Sequence, residues 1–205
     1  DEERFIELTD LQLRFFKHVS ENDQIIVNGP AGSGKTIIAK TLAQDFLNDG
    51  KSVLFMCYNR TLANKIRYDF NRDEKELKVC TFHSLSREVI SEFEPDWWDT
   101  VDKAAEDFWG LEVPAKLESF MSFMKDKYDV LIIDEGQDFK SFWFELVFQF
   151  LKEHSRKFIF MDKFQDIFGH FDGVPQQTSF TKFHLQENCR NTRSIVNYLE
   201  TIVSK

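Results

Sequence analysis

Gly29-Pro30-Ala31-Gly32-Ser33-Gly34-Lys35-Thr36 fits the pattern G-x-x-x-x-G-K-[ST]. The apolar run Ile25-Ile26-Val27 precedes it and reads as a buried strand, and Ile37, Ile38, Thr41, Leu42 and Phe46 follow at helical spacing. The glycines therefore sit at a strand-to-helix turn, the context in which this pattern holds phosphate. Glycines let backbone N–H groups curl around a polyphosphate, and the helix N-terminus adds positive potential. Lys35 is expected to reach the outer phosphates, and the Thr36 hydroxyl to help hold Mg²⁺. The alternative is a glycine-rich turn without a ligand, which the flanking strand and helix argue against.

Tyr128-Asp129-Val130-Leu131-Ile132-Ile133-Asp134-Glu135 supplies the second half of that chemistry. An apolar run ending in two carboxylates places Asp134 at a strand end as a Mg²⁺ ligand, with Glu135 positioned to orient the attacking water. Carboxylates there could also merely cap the next helix.

Composition sets the frame. The chain has 205 residues, 42% of them hydrophobic, enough for one domain with a full core. Its three cysteines, Cys57, Cys80 and Cys189, are widely spaced and odd in number. That usage points to a reducing, cytoplasmic setting. No apolar run approaches membrane-spanning length, so no membrane partner is expected. The net charge of −9 is unfavourable for a nucleic-acid binder. However, residues 88–129 carry twelve Asp/Glu against four Lys/Arg, so the rest of the chain is nearly balanced.

The remaining chain alternates strands and helices, which predicts a parallel sheet whose ligands gather at the C-terminal ends of the strands. Leu11, Phe15, Phe16 and Val19 make one face of a helix from which Gln12 turns away. Ser52–Cys57 and Lys78–Thr81 read as strands, followed by Asn59 and Arg60 in one case and by His83 in the other. Taken singly, Asn59, Arg60, Thr81 and His83 could each be a capping or loop polar group. Residues 85–127, acidic and bearing Trp97, Trp98 and Trp109, read as a small helical insertion packed on the sheet. The insertion shows no chemistry of its own, and its tryptophans read as packing residues. A helix is expected over Phe142–Leu151, a strand over Lys157–Met161 and a short strand over Phe183–Leu185. The last helix is expected to follow Thr192.

The set of motifs resembles the first RecA-like domain of a superfamily 1 helicase of the UvrD/Rep type. Leu8-Thr9-Asp10-Leu11-Gln12 is similar to that family's adenine-reading glutamine motif, and Gly29–Thr36 to its P-loop. Cys57–Ala63 and Thr81-Phe82-His83-Ser84 resemble its two motifs that contact single strands. Asp134-Glu135-Gly136-Gln137-Asp138-Phe139 resembles its Walker B motif, and Asp162-Lys163-Phe164-Gln165 its coupling motif. Asn188-Cys189-Arg190-Asn191-Thr192 resembles the motif whose arginine meets the γ-phosphate. Three residues depart from the family pattern: Met161 for glycine, Gly136 for alanine, and Cys189 for an adenine-stacking tyrosine. The insertion is shorter than the family's extra domain, which suggests the branch fused to nuclease-related domains.

The resemblance implies an α/β P-loop NTPase over residues 1–205, with a RecA-like parallel sheet, helices on both faces and the insertion at 85–127. ATP and Mg²⁺ would be bound by Gln12, Gly29, Pro30, Ala31, Gly32, Ser33, Gly34, Lys35, Thr36, Asp134 and Arg190. Catalysis would rest on Lys35, Glu135, Gln165 and Arg190. Single-stranded nucleic acid, DNA in preference to RNA, would be contacted by Asn59, Arg60, Thr81 and His83. A second RecA-like domain would be needed from outside these residues, which leaves this chain alone nearly inactive. The rival reading is an ATP-dependent binding switch that acts on a protein partner without translocating. A small-molecule kinase fits less well, because kinases need an acceptor pocket rather than a water-orienting glutamate.

Overall fold

The computed structural model describes residues 10–70, 74–124, 127–162 and 180–185, with side chains from Phe15 onward. Six strands form one sheet: β1 (Gln24–Asn28), β2 (Val53–Cys57), β3 (Leu77–Cys80), β4 (Tyr128–Asp134), β5 (Leu151–Met161) and β6 (Thr181–His184). Their spatial order is β3-β2-β4-β5-β1-β6, and every neighbouring pair is parallel. Each strand therefore delivers its C-terminal end to the same edge. The P-loop leaves β1 there, and the Asp134-Glu135 pair leaves β4, with β5 between them.

Both faces of the sheet are buried, which is why the strands read as nearly continuous apolar runs. The two-residue period of a strand then sorts each run between two cores. Ile25, Val27, Val53, Phe55, Val130, Ile132, Phe158 and Phe160 face one way. They meet Phe15 of α1 (Asp10–Glu21), Ile38, Leu42 and Phe46 of α2 (Lys35–Asn48), and Ile66 of α3 (Arg60–Asp69). Ile26, Leu54, Met56, Leu131, Ile133 and Ile159 face the other way. There they meet α4 (Phe82–Phe93), α5 (Trp97–Thr100), α6 (Val113–Phe120) and α7 (Ser141–Phe148). Each fully buried Phe, Leu or Ile contributes about 1.5–3 kcal/mol relative to exposure. Cys57 and Cys80 fall in opposite cores, each a buried free thiol.

The acidic stretch at 85–127 starts inside α4. Its Leu85, Val89, Ile90, Trp98, Phe108, Val113 and Leu117 share a core with the sheet residues Leu54 and Leu131. Trp97 and Trp109 pack at the margin of that core.

Predicted boundaries shift by one or two residues at β2, β3 and β6, and by more around β5. The helix expected over Phe142–Leu151 ends at Phe148, and Leu151 opens β5 instead. The strand expected from Lys157 therefore begins at Leu151. Its early part carries a bulge: between the pairs Tyr128↔Leu151 and Val130↔Arg156, β4 advances two residues while β5 advances five. His154, in the left-handed region at φ 61°, sits in that bulge. On α2, Ile37 points outward and is 39% exposed, so the buried stripe is Ile38, Leu42 and Phe46. The last helix expected after Thr192 lies outside the described residues.

Candidate nucleotide site

The P-loop is shaped by its glycines. Gly32 and Gly34 adopt φ 85° and 86°, a region that other residues enter at a cost, and Gly34 starts α2. Gly29 is required by space: a Cβ there would lie 2.5 Å from Ser33 Oγ and 2.9 Å from Leu185 Cβ. Its N–H donates to Met161 O at 3.1 Å, and the Leu185 N–H donates to Asn28 O at 2.7 Å. The loop is thus pinned between the ends of β5 and β6.

Lys35 is buried, and its ammonium donates to the carbonyls of Gly29 at 2.8 Å and Pro30 at 3.1 Å. Its Nζ also lies 4.0 Å from the buried Asp162 carboxylate. The Thr36 hydroxyl donates to Asp134 Oδ2 at 2.7 Å. Asp134 is fully buried, and burial pushes its carboxyl up to about 6 against the pull of the Thr36 hydrogen bond. The nearby Glu135 charge pushes in the same direction as burial.

Glu135 sits at φ 57°, ψ 45°, a conformation uncommon for a residue with a side chain and often found at functional turns. Its Oε2 accepts from the Gln137 side-chain amide at 2.7 Å, and the Gln137 amide oxygen accepts the Asp162 N–H at 3.0 Å. Gln137 falls inside the Asp134–Phe139 motif but was not among the site candidates. The two-sided bridge depends on the packing of β4 against β5, which the motif does not reveal.

These residues fit a magnesium-bound nucleoside triphosphate. The Ser33 hydroxyl is buried with no hydrogen-bond partner among the described residues, inside the loop whose amides would meet a phosphate. With it in the site are the Lys35 ammonium, the Thr36 hydroxyl and the buried Asp134 carboxylate. Among the described residues no three His, Cys, Asp or Glu side chains cluster to hold a metal by themselves. Mg²⁺ commonly takes one or two protein carboxylates and completes its shell with phosphate and water. Gln165 and Arg190 lie outside the described residues, as does the side chain of Gln12, which falls on α1.

The strand-contact candidates emerge from the same sheet edge, further out, on the neighbouring strands β2 and β3. Asn59 caps α3, accepting from the Leu62 N–H at 2.7 Å, and Arg60 beside it is exposed. Thr81 is buried and caps α4 in a reciprocal pair with Ser84. His83 is partly exposed and lies edge-on to Trp109 and Trp143, with ring centroids at 4.4 and 5.2 Å. Burial holds its pKa below the ordinary value, and the Lys140 ammonium adds to this, which favours a neutral ring. Tyr58, inside the Cys57–Ala63 motif but not among the candidates, is 44% exposed just after β2. An aromatic residue between a buried strand and the polar Asn59-Arg60 pair was the signal available.

The sheet order, the pinned glycine loop and the Thr36–Asp134 pair define a RecA-like P-loop NTPase domain. A family model described as an AAA domain matches residues 12–169, and the chain belongs to that family. Among curated proteins none matches the sequence. The fold is shared with solved helicases. The chain is similar to Pif1 helicase from Bacteroides in complex with ADP-AlF3 and ssDNA, at 20% identity and a TM-score of 0.54, over 97% of this chain and 47% of that one. For Pif1 helicase from Candida albicans the values are 14% and 0.58, over 98% and 44%. For the UvsW helicase from bacteriophage T4 they are 14% and 0.58, over 91% and 62%. The chain spans about half the length of the Pif1 helicases that it matches. Among the described residues no helix is long and apolar enough to cross a membrane.

Proposed function

We propose that this chain is the ATP-binding motor domain of a superfamily 1 DNA helicase of the UvrD/Rep type, acting in the cytoplasm on single strands. The observation that carries the reading is the convergence of Lys35, Thr36, Asp134 and Glu135 at one sheet edge, with Thr36 bonded to Asp134. ATP is the substrate. Bound Mg²⁺, held by Thr36 and Asp134, would neutralise charge on the transferring phosphoryl group.

Lys35 leaves its two loop carbonyls to meet the outer phosphates. Ser33 and the loop amides take the remaining oxygens. Glu135 orients the attacking water. Stabilisation by such pre-placed groups is the main catalytic contribution in phosphoryl transfer. Gln165 and Arg190 join the site by their motifs, to sense the γ-phosphate and stabilise its charge. A second RecA-like domain would close the other wall.

The sheet edge at Asn59, Arg60 and His83 takes the single strand, with Thr81 setting the start of α4 beneath it. Two of the similar Pif1 structures are described as bound to ssDNA, which supports DNA as the partner. The test is steady-state ATP hydrolysis by the full-length protein with and without single-stranded DNA. Turnover that rises with added strands supports the motor. Turnover indifferent to strands but responsive to a protein partner would favour the binding switch.

A further inference from the structure

Glu135 does not stand alone at the end of β4. The Gln137 side chain holds its carboxylate at 2.7 Å and the Asp162 N–H at 3.0 Å, so one amide joins the ends of β4 and β5. The Asp162 carboxylate lies 4.0 Å from Lys35 Nζ. A continuous line thus runs from the P-loop lysine through Asp162 and Gln137 to Glu135.

Gly136 lets the turn sit close on β5. A Cβ there would fall 2.6 Å from Ile159 Cγ2 and 3.3 Å from Phe160 O, so a side chain would press the turn and β5 apart. This is the position where the resembled family carries alanine. The closer seat brings Gln137 within reach of the Asp162 backbone.

We propose that Gln137 is a positioning residue that sets the Glu135 carboxylate according to the place of Asp162, and hence according to what Lys35 holds. The inference rests on the proposed ATPase reading. When Lys35 turns from the Gly29 and Pro30 carbonyls toward a polyphosphate, its attraction for Asp162 changes. Gln137 passes that change to the group that orients water. Displacing a reacting group by about 1 Å can lower a rate by roughly 10²-fold.

The experiment is a double-mutant cycle on ATP turnover by the full-length protein with single-stranded DNA, using Gln137→Leu, Glu135→Gln and their combination. Gln137→Leu is expected to lower kcat by about 10- to 100-fold with KM for ATP nearly unchanged. In the Glu135→Gln background the same change should have almost no further effect. Gly136→Ala keeps every polar group and should reproduce much of the loss by lifting the turn from β5. Wild-type turnover combined with an unaffected Gln137→Leu kcat overturns this inference alone, as does a loss that adds fully to that of Glu135→Gln. Absence of turnover in the wild type overturns the proposed function, and this inference with it.

Discussion

The Thr36 hydroxyl donates to Asp134 Oδ2 at 2.7 Å across 98 positions of sequence. One residue opens α2 and the other closes β4, so the bond ties the phosphate loop to the carboxylate strand. Asp134 has no exposed surface, and this hydroxyl is one of the few groups that offset its burial.

Thr36→Val removes the hydroxyl and keeps the shape. It leaves a buried carboxylate short of a donor, a cost of about 1–3 kcal/mol. Urea unfolding of the unliganded chain should show that loss, and a Mg²⁺ titration at fixed ATP should show a higher metal requirement. Thr36→Ser should restore both. A variant with unchanged stability and unchanged Mg²⁺ dependence would detach Thr36 from this role.

Gly29→Ala tests the shape of the cradle. The added methyl would press on Ser33 Oγ and Leu185 Cβ at 2.5 and 2.9 Å. Overpacking of this kind costs about 1–3 kcal/mol, and here it would also move the residues that face the phosphates. Fluorescent-nucleotide titration should show weakened binding. Unaltered affinity would mean that the loop has room which its geometry does not suggest.

At the opposite edge of the sheet, Asp129 predicts an acid limit. Burial raises its pKa, but hydrogen bonds from Lys152 and from the Ser52 N–H and hydroxyl outweigh that and leave it at about 2. A depressed carboxylate stabilises the fold above its ordinary value of 3.8, and the contribution is lost as pH falls toward about 2. The ceiling is about 2 kcal/mol, reduced by solvent screening of the partly exposed Lys152 pair. Melting curves from pH 5 to pH 2 should fall more steeply for the wild type than for Asp129→Asn. Parallel curves would remove Asp129 from the acid response.

The outer edge should bind strands through few phosphates. Arg60 is exposed and free of the capping duty that Asn59 and Thr81 perform. Each phosphate neutralised contributes about −0.7 to the slope of log affinity against log salt for single strands. Arg60→Ala should flatten the slope by about that amount in a fluorescence-anisotropy titration of an oligonucleotide. An unchanged slope would place the strand elsewhere.

The sequence carried the nucleotide site because its parts are local. The glycines, Lys35 and Thr36 sit in one turn, and Asp134 ends an apolar run that could only be a buried strand. β5 was half hidden, since Lys152, Glu153 and His154 are exposed in a bulge and carry no strand pattern. For the same reason the helix before it was drawn too long: Phe150 and Leu151 keep helical spacing with Leu146 and Val147 yet belong to the turn and the strand. For Thr81 the sequence left both a cap and a strand contact open, because the two use the same hydroxyl, and the capping pair with Ser84 is seen only in the fold. Gln137 and Gly136 were illegible as a pair, because their meaning lies in how closely β4's turn rests on β5.

MgATP binding at Gly29–Thr36 is decided by a melting scan of this chain with and without MgATP. At nucleotide near 100 times Kd the folded state should gain about 2.7 kcal/mol. Lys35→Ala should erase that gain while lowering the unliganded melt only modestly. A full shift retained in Lys35→Ala, or no shift in the wild type at millimolar MgATP, would mean that nucleotide does not bind at this loop.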